Sequence, residues 1–209
     1  GEKTLQGIAD VCIEKDLWLI SDEVYDTQIW EGQHLSPRAL SGMRDRTLVV
    51  GSMSKSHAMT GSRIGWLVGP KKVIKHLQNL STHTTYGVAG FVQHAALHAL
   101  SLGEDFESQI SEPFKRRRQL ALSLLNEQSS LGIIPSMGGM YIMLDIRSTG
   151  LSGEDYALQL LEKHHIAVMP GESFGTAAAG HIRLALTVGD ARLSQALKTL
   201  IDFTQSIRA

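Results

Sequence analysis

The chain has 209 residues, 43% of them apolar, which is enough for one hydrophobic core and a second, smaller one. Its formal net charge is -1, from 20 basic and 21 acidic side chains, so no general attraction to nucleic acid or an anionic membrane is expected. Cys12 is the single cysteine, which excludes an internal disulfide and a cysteine-clustered zinc site. Small-molecule chemistry in the cytoplasm is the resulting expectation.

The first residues predict a helix, because apolar side chains recur at helical spacing as far as Lys15 and Asp16. No Met begins the chain, so we expect it to be part of a longer protein. Leu17–Ile20 is a continuous apolar run, typical of a parallel strand buried on both faces. After an irregular segment at 26–46, Thr47–Val50 predicts a second strand of the same kind.

The second half begins with helices and then changes character. Glu104–Gln128 predicts one long helix, whose basic run Lys115–Arg118 is expected to be a solvated face. We place the domain boundary along this helix, dividing the chain into 1–112 and 113–209. Beyond it the pattern predicts short strands and helices, namely strands at Met140–Leu144, Ile166–Met169 and His181–Leu186 and helices at Gly153–His165 and Gly189–Ile207.

Residues suited to catalysis follow the second strand. Lys55 is an amine near the rigid end of that strand, with the Ser52 hydroxyl and the Arg63 guanidinium close to it in sequence. Such a set can hold a phosphate beside a reactive amine. A lysine in a polar loop is, taken alone, more often a simple surface residue.

Two further positions carry polar side chains where a ligand could bind. Asp22 and Tyr25 leave the carboxyl end of the first strand, which is where open α/β sheets bind ligands. Arg183 lies among apolar residues of a predicted strand, and a cation there is costly unless it is paired. Either an internal acid neutralises Arg183 or the side chain binds an anionic ligand.

Read together, these motifs resemble a known family. The pattern Ser-x-Ser-Lys-x-x-x-x-x-Gly-x-Arg-x-Gly at 52–65, with Asp22-x-x-Tyr25 before it and His181-Ile-Arg183 after it, resembles fold-type I, pyridoxal-phosphate-dependent aminotransferases of class I/II. The resemblance covers essentially the whole chain and implies an α/β fold. Residues 1–112 would form the C-terminal part of a large, mostly parallel-sheet domain that binds pyridoxal phosphate (PLP), and 113–209 a small α+β domain.

The resemblance also implies a role for each candidate residue. Lys55 would be the catalytic lysine that forms an imine with PLP, while Ser52 and Arg63 would hold the phosphate group. Asp22 would contact the pyridine nitrogen and Tyr25 the phenolic oxygen of the ring. In the small domain, Arg183 would bind the α-carboxylate of the substrate.

The implied activity is transfer of an amino group from an L-amino acid, with arginine as a candidate donor, to a 2-keto acid such as pyruvate. A homodimer is expected, and other family residues of the site would precede Gly1. Two alternatives share the same cofactor: a β-lyase acting on sulfur amino acids, and a PLP-binding sensor without turnover.

Three other motifs compete with this interpretation. An apolar strand ending in Asp22-Glu23 resembles the magnesium-binding strand of P-loop ATPases, but no Gly-x-x-x-x-Gly-Lys-[Ser/Thr] precedes it. Ser52-x-x-Lys55 matches the nucleophile pair of penicillin-binding enzymes without their companion motifs. His94 and His98 have a spacing that can ligate a metal, but we expect both to be structural and predict no metal site.

Overall fold

The computed structural model describes residues 1–126, 131–134 and 136–207. The chain divides into two compact units, Gly1–Ser111 and Glu112–Ala209. Each unit combines helices with a small sheet, so the α/β fold class predicted from the sequence is confirmed. Across these described ranges, no helix is both long and apolar enough to span a membrane.

The first unit is built around a three-stranded sheet with the order β1-β2-β3. Strands β1 and β2 are parallel and place Asp22 opposite Val50, whereas β2 and β3 are antiparallel and place Ser52 opposite Gly65. Its elements are α1 (Glu2–Glu14), β1 (Leu19–Asp22), β2 (Thr47–Ser52), α2 (Met53–Ser56), β3 (Gly65–Val68), α3 (Lys71–Thr84) and α4 (Gly90–Ser101). Helix α5 (Gly103–Asn126) begins in this unit and ends in the next.

The prediction that Leu17–Ile20 is buried on both faces is wrong. Ile20 is 68% exposed, whereas Leu19 packs against a small core made by Ala9, Cys12 and Met43. Side chains of a strand alternate between two faces. Within the described part of the chain, only the face that carries Leu19 is covered, and for that reason its neighbour is open.

The second unit is built around a four-stranded antiparallel sheet with the order β4-β5-β7-β6. Its elements are β4 (Gly132–Ile134), β5 (Tyr141–Asp145), α6 (Gly153–His164), β6 (Met169–Pro170), β7 (His181–Ala185) and α7 (Asp190–Ser206). The strand predicted at Ile166–Met169 is shorter and later than expected. The long helix predicted to reach Gln128 is seen to Asn126, and positions 127 and 128 lie outside the described residues.

Alternation along β5 and β7 separates the core of this unit from a second, partly exposed face. Ile142, Leu144, Ile182 and Leu184 are buried and pack against apolar side chains of α6 and α7. The register pairs Met143 with Arg183, so these side chains point to the opposite face. The core therefore fixes which way Arg183 points.

The prediction that Lys115–Arg118 is a solvated face holds for the exposed Lys115 and Arg116 but is wrong for Arg118. The buried Arg118 donates from Nε to the carbonyl oxygen of Ser136 at 2.8 Å. Arg116 and Arg117 donate to the carboxylate of Asp190 at 2.6 and 3.0 Å. These hydrogen bonds lower the pKa of Asp190 to about 2, and the one from Arg116 has the largest effect. The run attaches α5 to the rest of the unit, which charge counting could not show.

Among the described residues, Tyr156 on α6 is the largest side chain that is fully buried. Its hydroxyl lies 2.7 Å from the Oγ1 of Thr204, and its ring meets Phe203 edge-on with centroids 5.2 Å apart. Burial raises the pKa of Tyr156 from 10.0 to about 12, although the hydrogen bond with Thr204 acts in the other direction. The folded chain therefore keeps this phenol protonated at pH values where an exposed tyrosine ionises.

We expect Tyr156→Phe to lower the free energy of unfolding by about 1 kcal/mol at neutral pH, through loss of the hydrogen bond. Because folding raises the pKa of Tyr156, its contribution to the free energy of unfolding is complete below pH 10.0, the unfolded pKa. This contribution is lost as the pH approaches about 12, the folded pKa. The difference between wild type and variant should therefore shrink over this interval. Urea unfolding of the full-length proteins measures it, and a constant difference would contradict the assignment.

Candidate functional site

Lys55 lies in the turn that joins β2 to β3. At the end of β2, the side-chain oxygen of Ser52 accepts a hydrogen bond from the backbone N–H of Ser54 at 3.1 Å and caps the short helix α2. The backbone N–H of Met53 then donates to the carbonyl oxygen of Ile64 at 3.3 Å, just before β3 begins. Lys55 is thus carried by one helical turn that is bonded at its base to the returning chain.

Close approach of the two strands at this turn requires glycine. A Cβ on Gly65 would lie 2.4 Å from the carbonyl oxygen of Gly51, and a Cβ on Gly51 would lie 2.3 Å from the ring of Trp66. Both contacts are shorter than atoms allow, and the first is to backbone that cannot move aside. Gly51, just before the motif, and Gly65, its last residue, therefore serve the packing of β2 against β3.

The Lys55 side chain is only partly buried, and its amine is open. Its ammonium forms no hydrogen bond or ion pair with any residue in the described part of the chain. The backbone carbonyl of Lys55, in contrast, accepts a hydrogen bond from the fully buried Gln28 at 3.3 Å. The backbone is fixed while the amine stays available to a ligand.

Four other predicted residues lie at the same edge of this sheet. Asp22 ends β1, the parallel neighbour of β2, and Tyr25 follows three residues later. Ser52 ends β2. Arg63 stands two residues before β3, in the left-handed conformation with φ 51, and donates to the carbonyl oxygen of Thr60 at 2.9 Å. The structure thus brings five predicted residues to one sheet edge, all within the first unit.

A buried polar network supports the lysine turn from below. The Ser56 hydroxyl donates to the carbonyl oxygen of Ser52 at 3.3 Å and lies 2.8 Å from the Nδ1 of His57. The Nε2 of the buried His57 lies 3.6 Å from the carboxylate of Glu107 on α5. Sequence reasoning missed this network and Gln28, because their partners are distant in sequence and no periodic pattern marks them.

Arg183 forms a second cluster, inside the other unit. Its guanidinium carbon lies 4.1 Å from the ring centroid of Tyr141 and 4.5 Å from that of Phe174. Cation-π attraction favours this placement of the guanidinium close to both rings. An arginine stacked on aromatic faces keeps the N–H groups at the edge of its guanidinium for hydrogen bonds. The period-2 pattern of β5 could have indicated Tyr141, since it stands two residues from the cross-strand partner of Arg183.

An internal ion pair for Arg183 is not seen among the described residues. Asp145 lies on the same face of β5 as Met143, the cross-strand neighbour of Arg183, but it pairs with a different arginine. It accepts hydrogen bonds from the Nε of Arg147 at 2.9 and 3.0 Å, and this pairing lowers the pKa of Asp145 to about 2. Of the two alternatives that the sequence left open, neutralisation by an internal acid is not seen among the described residues, and binding of an external anion stays a prediction.

The described residues form no comparable site for a metal ion. Among residues 1–126, 131–134 and 136–207, no group of three or more His, Cys, Asp and Glu side chains is placed to hold a metal ion. His94 and His98 lie on α4 without a third such residue beside them.

Comparison with known proteins gives consistent matches. The sequence matches the family described as aminotransferase class I and II over residues 2–200. It is 44% identical over 197 residues to the arginine–pyruvate transaminase of Pseudomonas aeruginosa, an alignment that covers 94% of this chain and 50% of that protein.

Solved structures agree with the sequence matches. The aromatic aminotransferase of Pyrococcus horikoshii superposes with a TM-score of 0.93 and 32% identity, covering 98% of this chain and 55% of that one. The aspartate aminotransferase of Thermus thermophilus with maleate gives 0.89 and 34%, covering 97% and 52%. The chain thus spans about half the length of the proteins it matches.

Proposed function

This chain belongs to the aminotransferase class I and II family, and on that premise we propose that it supplies the catalytic lysine and the carboxylate-binding arginine of a PLP-dependent transaminase. The resemblance predicted from the sequence is confirmed at the level of the family, which depends on PLP. The proposed reaction moves the amino group of an L-amino acid to a 2-keto acid such as pyruvate. The observation that carries the proposal is the amine of Lys55, which has no partner among the described residues and lies at the edge of the sheet where Asp22 also ends its strand.

The residues at this edge fit the cofactor. PLP supplies an aldehyde that bonds covalently to amines and a heterocycle that withdraws electrons from the substrate's Cα. Lys55 offers a primary amine for the aldehyde, and Ser52 and Arg63 offer a hydroxyl and a cation for the phosphate. The carboxylate of Asp22 would keep the ring nitrogen protonated, and the phenol of Tyr25 would hydrogen-bond the ring oxygen.

Lys55 has a second task once a substrate amine has replaced it on the cofactor. Its amine would accept the proton from the substrate's Cα and return it to the former aldehyde carbon, which is general base and then general acid catalysis. That role needs a side chain that can move between two atoms. A lysine whose ammonium has no partner in the described part of the chain, on a turn whose backbone is held, meets this requirement.

Arg183 would bind the substrate's α-carboxylate with two parallel N–H···O contacts. Its ring-stacked guanidinium offers its edge, which suits such two-pronged binding. Arginine is proposed as the amino donor because the 44% identical relative is named an arginine–pyruvate transaminase. Release of ammonia and pyruvate from cysteine conjugates without a keto acid would favour the β-lyase instead.

We also propose that the enzyme acts in the cytoplasm as a homodimer. Tyr86 is 89% exposed and adopts a left-handed backbone conformation with φ 58, between α3 and α4. Phe91 and Leu97 on α4 are also largely exposed. Apolar side chains of this size are more often covered by protein than left in water. Sedimentation of the full-length protein as a monomer at micromolar concentration would contradict the dimer.

We expect borohydride reduction of the full-length holoenzyme to fix the cofactor on Lys55, as seen by peptide mapping. Lys55→Ala should abolish this adduct and the formation of alanine from arginine and pyruvate. Lys75→Ala, which removes a lysine from helix α3, is the matched control and should retain both. An adduct at any other lysine refutes the assignment.

For Arg183 we expect a loss of substrate affinity. Arg183→Leu removes charge-assisted hydrogen bonds worth roughly 2 kcal/mol, so KM for the amino acid should rise about 30-fold or more. Arg183→Lys keeps the charge without the fork and should fall between wild type and Arg183→Leu. Steady-state kinetics measure the change, with Arg192→Leu on the exposed face of α7 as control. An unchanged KM would remove Arg183 from the substrate site.

A further inference from the structure

Glu172 connects three separate segments of the second unit. It lies in the turn Gly171–Phe174 that follows β6. One oxygen of its carboxylate accepts hydrogen bonds from the backbone N–H of Gly153 at 2.9 Å and of Gly180 at 3.0 Å. Gly153 is the first residue of α6, and Gly180 directly precedes β7. The amides of Gly180 and Gly153 lower the pKa of Glu172, so the side chain carries its charge at neutral pH.

Two glycines allow the close packing around this carboxylate. A Cβ on Gly153 would lie 2.2 Å from the second carboxylate oxygen of Glu172. A Cβ on Gly171 would lie 2.0 Å from the carbonyl oxygen of Ala178, across the same loop. Any larger residue at either position would force the turn away from α6 and β7. The close packing and the carboxylate contacts therefore depend on each other.

The same turn carries Phe174, one of the two aromatic rings on Arg183. Phe174 is 48% exposed, so apolar burial alone holds it weakly in place. Its ring nevertheless lies 4.5 Å from the guanidinium carbon of Arg183. Glu172 stands two residues before Phe174 and fixes the turn to the start of β7, the strand that carries Arg183.

We propose that Glu172 is a positioning residue for substrate binding: it holds the turn that keeps Phe174 stacked on Arg183, and so orients the edge of the guanidinium toward the substrate carboxylate. The inference rests on the proposed function of Arg183. Glu172 itself contacts no substrate. Its loss should therefore affect ligands that carry a carboxylate and spare those that lack one.

The first test measures ligand affinity in the full-length holoenzyme. We expect Glu172→Ala to weaken maleate binding about 10-fold by calorimetry, because small displacements of a binding group are costly. Glu172→Gln keeps an oxygen that can accept from both amides and should lose no more than about 3-fold. KM for arginine should rise like the maleate Kd, while the reaction with agmatine, which is arginine without its carboxylate, should not change.

Glu162→Ala provides the matched control, since Glu162 is an exposed glutamate on α6. Borohydride labelling of Lys55 should be retained in every variant, which shows that the cofactor site is intact. Absence of this label in the wild type would overturn the proposed function. If wild type is labelled and binds maleate, equal maleate affinity in Glu172→Ala overturns the role of Glu172 alone.

A double-mutant cycle separates positioning from a general structural effect. Phe174→Ala should reduce maleate affinity by a factor similar to Glu172→Ala. If Glu172 acts through Phe174, adding Glu172→Ala to Phe174→Ala should cause little further loss. Full additivity of the two effects would overturn the proposal, as would an equal loss of agmatine reactivity.

Discussion

The position of Lys55 depends on the pairing of β2 with a strand on each side. Parallel pairing with β1 brings Asp22 to the edge where β2 ends, and antiparallel pairing with β3 returns the chain beside Ser52. Gly51 and Gly65 permit the second pairing, since a side chain at either position would separate the strands. The turn is then short and bonded at its base, and only the side chains that leave it can reorient. Strand pairing, together with the hydrogen bond from Gln28 to the carbonyl oxygen of Lys55, therefore holds the backbone of the turn in place.

In the second unit, side chains alternate between the two faces of a strand, and this alternation fixes the direction of Arg183. The apolar residues of β5 and β7 are buried against α6 and α7, and this burial fixes the register of both strands. A shift of one residue would turn Arg183 into the core and expose Ile182 or Leu184, at a cost of about 1.5–3 kcal/mol for each large apolar side chain. The hydrophobic core thus determines the direction of a cation that it does not touch.

The sequence predicted the elements that local pattern controls. Most predicted helices and strands overlap the observed ones, Asp22 and Tyr25 were expected at the carboxyl end of the first strand, and Lys55 was expected near the end of the second. Partners that are distant in sequence were not predictable. Gln28 donates to the carbonyl oxygen of Lys55, and Glu107 lies beside His57. Asp190 pairs with arginines of the basic run on α5. Hydrogen bonds of this kind depend on tertiary packing and leave no periodic trace. The exposure of Ile20 was missed for a related reason, because an apolar run does not say how much protein covers it.

The stacking of Arg183 between Tyr141 and Phe174 also bears on the entropy of binding. A free arginine side chain has several rotatable bonds, and fixing them costs up to about 2 kcal/mol. Here the aromatic rings restrict those rotations before any ligand arrives, so the loss occurs on folding. An incoming anion meets a cation that is already immobilised, and more of the attraction between them appears as affinity.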